Sequence, residues 1–118
     1  MMYHIWLDDV RPAPAGFLWC HSVNEAKSAI IEFIEAKEDA LDEWDFPDDT
    51  LWSYKFYIDL DHDLGDYAED GGDAIKLVDW LEETGYGSEG AYGIHTANPV
   101  GRQNMLNIMI KNGWEVVK

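Results

Sequence analysis

Three short stretches of this chain bring together side chains that serve in proton transfer and metal binding: Asp8-Asp9, Asp61-His62-Asp63, and His95-Thr96-Ala97-Asn98. Asp8, Asp9 and Asp61, if gathered at one point, would repel one another strongly. The usual remedy is a divalent cation with oxygen ligands, Mg2+ or else Mn2+. Without metal, at least one of these carboxyls should titrate high. His62 and His95, with ordinary pKa values of about 6.5, could pass protons near neutral pH, one as base and the other as acid, if both face one substrate. The aspartates beside them, Asp63 included, would then hold the cation or orient the imidazoles. A turn or hydrogen-bonding role is the competing explanation for His62, and a weaker one for His95, which Thr96 and Asn98 follow with further polar groups. Arg11 and Arg102 each adjoin one of these stretches. Either could hold a phosphate by a bidentate contact, and either could equally pair with a surface carboxylate. A helix opening at Asn98-Pro99 would aim backbone N–H groups at a second anion site near Arg102.

Such stretches meet only if the fold delivers them to one place, and the pattern of the chain says how. Short apolar runs alternate with helix-period segments, as in a βαβ architecture with a parallel sheet. Strands are predicted at Tyr3 to Leu7, Phe17 to Cys20, Tyr54 to Leu60, Ala91 to Ile94, and Trp114 to Val117. Residues Arg11 to Gly16 are too proline-rich for a helix, so a loop joins the first two strands. Ser22-Val23-Asn24-Glu25 has capping-box spacing, and Ala26, Ala29, Ile30, Phe33 and Ile34 form the apolar stripe of the helix it opens. A second helix, capped by Asp70 or Asp73, carries Ala74, Leu77, Val78 and Leu81, and the glycine-rich Thr84 to Gly90 closes it. A third runs from Asn98-Pro99 to Lys111, with Asn112-Gly113 as its stop. In open parallel sheets, ligands bind beyond the carboxyl ends of the strands. All three polar stretches fall at such ends.

The composition restricts what the site can bind. A chain of 118 residues with 47% hydrophobic residues is expected to form a single domain over residues 1–118. Its 24 Asp and Glu against 8 Lys and Arg give a formal net charge of -16, which argues against an extended nucleic-acid surface. A small phosphate-containing substrate or an RNA end remains compatible, through a metal or a local basic pocket. From Glu35 to Thr50 there are eight acids and one lysine, interrupted by Leu41, Trp44, Phe46 and Pro47, which reads as an acidic helix end and a solvated loop. A face for a basic protein partner is the alternative. Cys20 is the one cysteine and is expected to be a buried structural thiol. Neither a membrane span nor a signal peptide is evident, so a cytosolic bacterial or viral setting is expected, without membrane partners.

The acid pair after the first strand, the Asp after the third and the Thr after the fourth resemble the receiver domain of two-component signalling. More closely, Leu7-Asp8-Asp9-Val10-Arg11-Pro12, Asp61-His62-Asp63-Leu64-Gly65, and His95-Thr96-Ala97-Asn98-Pro99-Val100-Gly101 with Asn104-Met105 resemble the cyclic-phosphate processing receiver domains, from Ile5 to Met105. The resemblance implies a three-layer, Rossmann-like or flavodoxin-like parallel sheet of about five strands, its first helix replaced by a loop. It also implies a phosphoesterase role on cyclic phosphate ends of RNA or related nucleotides, with Asp8, Asp9, Asp61, His62, Asp63, His95, Thr96 and Asn98 as the site. His62 and His95 have no counterpart in phosphoacceptor receivers. The lysine that such receivers place after their fifth strand could only be Lys118, the last residue. Phosphorylation at Asp61 or Asp59 is therefore a lesser alternative, and a non-catalytic acidic protein that mimics nucleic acid or docks on a basic partner is another.

Overall fold

Residues 3–39 and 54–117 are described by a computed structural model of the chain. Five strands form one parallel sheet in the order β2-β1-β3-β4-β5: β1 Tyr3–Leu7, β2 Leu18–Cys20, β3 Phe56–Leu60, β4 Gly90–Ile94 and β5 Glu115–Val116. The predicted strands are all present, with β2, β3, β4 and β5 each differing from expectation by one or two residues at an end. Helices α1 (Val23–Asp39), α2 (Ala74–Thr84) and α3 (Pro99–Lys111) fill the crossovers. This is the expected α/β receiver-like fold.

The strand order explains where the helices lie. The connections β2-α1-β3, β3-α2-β4 and β4-α3-β5 all advance in the same direction along the sheet. Right-handed crossover therefore puts their helices on one face. α2 accordingly packs against both α1 and α3. The step from β1 to β2 goes the other way, so a helix there would have covered the opposite face. Pro12 and Pro14 forbid it. The loop 8–17 covers part of that face instead, with the Phe17 ring edge-on to His4, Trp6 and Tyr57.

Ile5 and Leu7 of β1, Phe56, Ile58 and Leu60 of β3, and the α2 stripe bury completely between sheet and helices. Tyr92 is buried with them, and its hydroxyl donates to the Gly87 carbonyl at 2.7 Å, so no polar group is stranded there. Gly90 is required by close packing, because a Cβ there would strike the Phe56 ring.

The helix starts differ in detail from the expected caps. Ser22 Oγ accepts from the Glu25 N–H at 3.2 Å, as a capping box requires, but the Glu25 carboxylate accepts from His21 N–H rather than from Ser22. Asp73 occupies the N-cap position of α2 without capping it. Its carboxylate instead accepts the Leu64 N–H at 3.0 Å and ties down the loop after β3. Asp70 reaches across to Ser22 and Asn24 at the start of α1. The acidic stretch from residue 40 onward, with Leu41, Trp44, Phe46 and Pro47, lies outside the described residues, as does Lys118. Among the described residues, no helix is long and apolar enough to cross a membrane.

Cys20 is 3% exposed, and burial, with the nearby Glu25 charge, pushes its thiol up to about 12. A thiolate is the species that reacts with alkylating agents. Native protein at pH 8 is therefore expected to resist iodoacetamide while urea-unfolded protein gains one carbamidomethyl group, as read by intact mass. Alkylation of the native protein at the unfolded rate would contradict this packing.

Candidate functional site

The sheet register carries the polar stretches into a single row. β1 Leu7 pairs with β2 Cys20 and with β3 Leu60, and Leu60 pairs with β4 Ile94. One residue farther along each strand stand His21, Asp8, Asp61 and His95. The ladder extends to hold them, with Asp8 N–H donating to the Cys20 carbonyl (3.1 Å), Asp61 N–H to Leu7 (2.9 Å) and His95 N–H to Leu60 (2.9 Å). Because side chains alternate along a strand, this row shares its sheet face with Trp6, Trp19, Asp59 and Gly93, opposite the helices.

Asp8 is 1% exposed. Its Oδ1 accepts the backbone N–H groups of Val10 and Arg11, both at 2.8 Å, and its Oδ2 meets His95 Nε2 at 2.9 Å. Burial alone would raise its pKa, but the Arg11 and Val10 N–H groups and the His95 ring outweigh burial and leave the carboxyl below its ordinary value. Asp61 goes the other way. Burial, with the Asp8 charge beside it, raises its pKa against a hydrogen bond from Thr96. Oxygens of Asp8, Asp9 and Asp61 all lie within 4.8 Å of one another. Three convergent carboxylate oxygens suit an oxygen-seeking divalent ion such as Mg2+. Gly65, at φ +55°, lets the loop after β3 pass close to the group, since a Cβ there would lie 2.6 Å from Asp9 Oδ2.

His95 is held differently from a free acid or base. Its Nε2 faces Asp8, and its Nδ1 lies 2.6 Å from Asp59 Oδ1. Carboxylates only accept, so a ring between two of them carries protons on both nitrogens. Burial opposes that charge, but Asp59 and Asp8 together prevail and raise the His95 pKa. The ring also lies flat on Trp6, with centroids 3.8 Å apart and planes 7° apart. The second shared acid, Asp59, accepts from the Tyr57 hydroxyl at 2.9 Å. Gly93 makes room for this pair, because a Cβ there would strike the Tyr57 oxygen. Both His95 nitrogens, expected to be open to a substrate, thus face carboxylates.

His62 lies in the loop after β3, its Nδ1 2.8 Å from Asp63 Oδ1. Asn98 Nδ2 donates to the same carboxylate at 3.2 and 3.3 Å, while Asn98 Oδ1 caps α3 by accepting Gly101 N–H at 3.0 Å. The hydrogen bonds from His62 and Asn98 hold the Asp63 pKa below its ordinary value. Asp63 therefore fixes the His62 ring and leaves its Nε2 as the nitrogen outside that pairing. His62, Asp63 and Asp73 also group closely enough to be compatible with a metal, although Asp73 already serves the Leu64 N–H.

Both arginines bond to backbone carbonyls at the end of β4. Arg11 Nη1 donates to the His95 carbonyl and Arg102 Nη1 to the Ile94 carbonyl, each at 3.3 Å, and each guanidinium keeps further donors. Sequence reasoning passed over Trp6 and Tyr57, and treated Asp59 only as a phosphorylation alternative. The signal was available in strand parity, which puts positions 6, 57, 59 and 95 on one face.

A family model described as a cyclic-phosphate processing receiver domain matches residues 3–111. No curated protein and no solved structure gives a match.

Gly101, in the first turn of α3, lies against the His62 ring, where an added Cβ would come 2.5 Å from Cγ. Alanine should favour an exposed helix by about 1 kcal/mol, whereas overpacking a filled site costs about 1–3 kcal/mol. Gly101→Ala is expected to lower stability in urea unfolding and to move the His62 ring resonances in NMR. A variant of unchanged stability with unmoved resonances would show that α3 does not hold the ring.

Proposed function

The chain belongs to the cyclic-phosphate processing receiver family, and from that premise we propose that it is a phosphoesterase that opens cyclic phosphates at RNA ends or on related nucleotides. The observation that carries this reading is the convergence of Asp8, Asp9 and Asp61 beyond the strand ends, with an Asp63-oriented His62 on the adjoining loop. Asp8, Asp9 and Asp61 would hold Mg2+ or Mn2+, which when bound supplies positive charge to the phosphoryl oxygens. The remaining work falls to the chain's own groups.

Ring opening needs water to attack phosphorus, the bond from phosphorus to one sugar oxygen to break, and that oxygen to gain a proton. His62 is suited to the proton transfers. Asp63 holds Nδ1–H, so Nε2 can accept the proton of the attacking water and return it to the leaving oxygen. His95 has another part here. Its doubly engaged ring neutralises Asp8 and positions it beside Asp61, so it orients and does not shuttle protons. Thr96, hydrogen-bonded to Asp61, and Asn98, hydrogen-bonded to Asp63, fix the two acids. The spare donors of Arg11 and Arg102 are suited to a phosphate oxygen at the end of β4.

The test uses the purified chain with nucleoside 2′,3′-cyclic phosphates in Mg2+, Mn2+ or chelator, with products separated by anion exchange. Metal-dependent conversion to monophosphates is expected, with kcat reduced about 10²- to 10⁴-fold in His62→Gln and abolished metal dependence in Asp61→Asn. Failure of folded protein to open any of the cyclic phosphates with either metal would remove the proposal. A mass gain at Asp61 from a small phosphodonor would favour a signalling receiver instead.

A further inference from the structure

We propose that Trp19, His21 and Tyr67 form a stacking platform for the nucleobase of the substrate, on the β2 side of the carboxylate group. The inference rests on the phosphoesterase reading for the placement of the phosphate and adds what the other end of the ligand meets.

The three rings lie in sequence. His21 stacks on Trp19 with centroids 4.4 Å apart and planes 27° apart, and Tyr67 leans on His21 at 5.2 Å and 33°. The inner end is anchored to the site, because Trp19 Nε1 donates to the Asp8 carbonyl at 2.7 Å. The middle ring is fixed by Glu25, whose carboxylate accepts the His21 N–H at 3.1 Å and lies 3.5 Å from Nδ1. The outer ring belongs to a 3-10 turn, Gly65–Glu69, that buries none of its residues, and Tyr67 is 44% exposed. That turn begins at Gly65, which lies against the Asp9 carboxylate. Two residues of chain, at most about 7 Å, separate Gly65 from Tyr67. His21 thus has a ring on each side, and the exposed Tyr67 at the outer end of the stack is the ring left to meet a base, with the stack tied to the acids at Asp8 and at Asp9.

A base is the occupant that fits this chemistry. The chain carries a formal net charge of -16, so the long-range field opposes an anionic nucleotide. Short-range interactions that do not depend on protein charge then add to affinity, and base stacking on aromatic rings is one that every nucleotide can make. Stacking of this kind accepts every base, because each has a π-face. The platform predicts a preference for nucleosides over sugars and little choice among bases. It lies across the acid group from Arg11 and Arg102, so the two ends of a nucleotide would be held on opposite sides.

Binding of adenosine 3′-monophosphate and of ribose 5-phosphate to the full chain, followed by NMR titration, tests this without requiring turnover. The nucleotide is expected to bind at least about tenfold more tightly and to shift the Tyr67 and His21 ring signals. Tyr67→Ala should bring nucleotide affinity down to that of the sugar phosphate, whereas Tyr67→Phe should retain it. Equal affinities in the parent chain, no binding of the nucleotide, or a Tyr67→Ala protein that keeps the preference would each overturn the platform. Nucleotide binding through Tyr67 without hydrolysis of any cyclic phosphate would leave the platform standing and remove the phosphoesterase reading. Equal hydrolysis of nucleoside and base-free cyclic phosphates would do the reverse.

Discussion

An imidazolium clamped between two carboxylates is the interaction on which the strand-end site depends. Asp8 is nearly inaccessible to solvent and stands within 4.8 Å of two other acids in a chain with a formal net charge of -16. A buried carboxylate in such surroundings must be neutralised or protonated. His95 neutralises it from one side and two backbone N–H groups from another. The cost of charging His95 is in turn offset by Asp59, which the Tyr57 hydroxyl holds in place. Remove His95 and the two carboxylates it bridges face each other without their shared cation. Trp6 and Gly93 fit the same scheme, one as the surface on which the ring rests and the other as the vacancy that admits the Tyr57 oxygen.

Much of this was legible in the chain. The strands announced themselves because parallel strands buried on one face keep apolar residues such as Ile5, Leu7, Ile58 and Leu60 at alternate positions. The site was legible because Asp8, Asp61 and His95 each directly follow such a run. What the pattern could not convey was the direction of each ring. His95 looked free because nothing local to it, neither Thr96 nor Asn98, revealed that its partners come from two other strands. Asp59 looked like an ordinary polar position in an alternating strand. Its role depends on the register that brings Trp6, Asp59 and Gly93 side by side. Asp73 likewise had the right type and place for a helix cap, but an N–H nine residues back in the chain claimed its carboxylate.

The site has two parts. The acids after β1 and β3 and the threonine after β4 resemble those of signalling receivers. His62 and His95 are departures from that scheme, and they are not equivalent. His62 is aligned by one neighbouring acid and keeps a nitrogen outside that pairing, whereas His95 is locked by two. The same residue type is therefore held by one acid in the loop after β3 and by two at the end of β4. The loop 8–17 belongs with these departures, since it supplies the N–H groups that hold Asp8 where a helix would have begun.

The short outer strands have a consequence for assembly. A sheet edge exposes unpaired N–H and C=O groups that can template a further strand from another molecule. Among the described residues, the five-residue strands β1, β3 and β4 are all interior, and the edges are β2, of three residues, and β5, of two. Either edge offers too little backbone to register a neighbouring chain, and Glu115 on β5 adds a charge that an incoming strand would have to bury. A sheet that is long only in its middle can keep its row of strand-end side chains rigid while denying neighbouring molecules a strand to join.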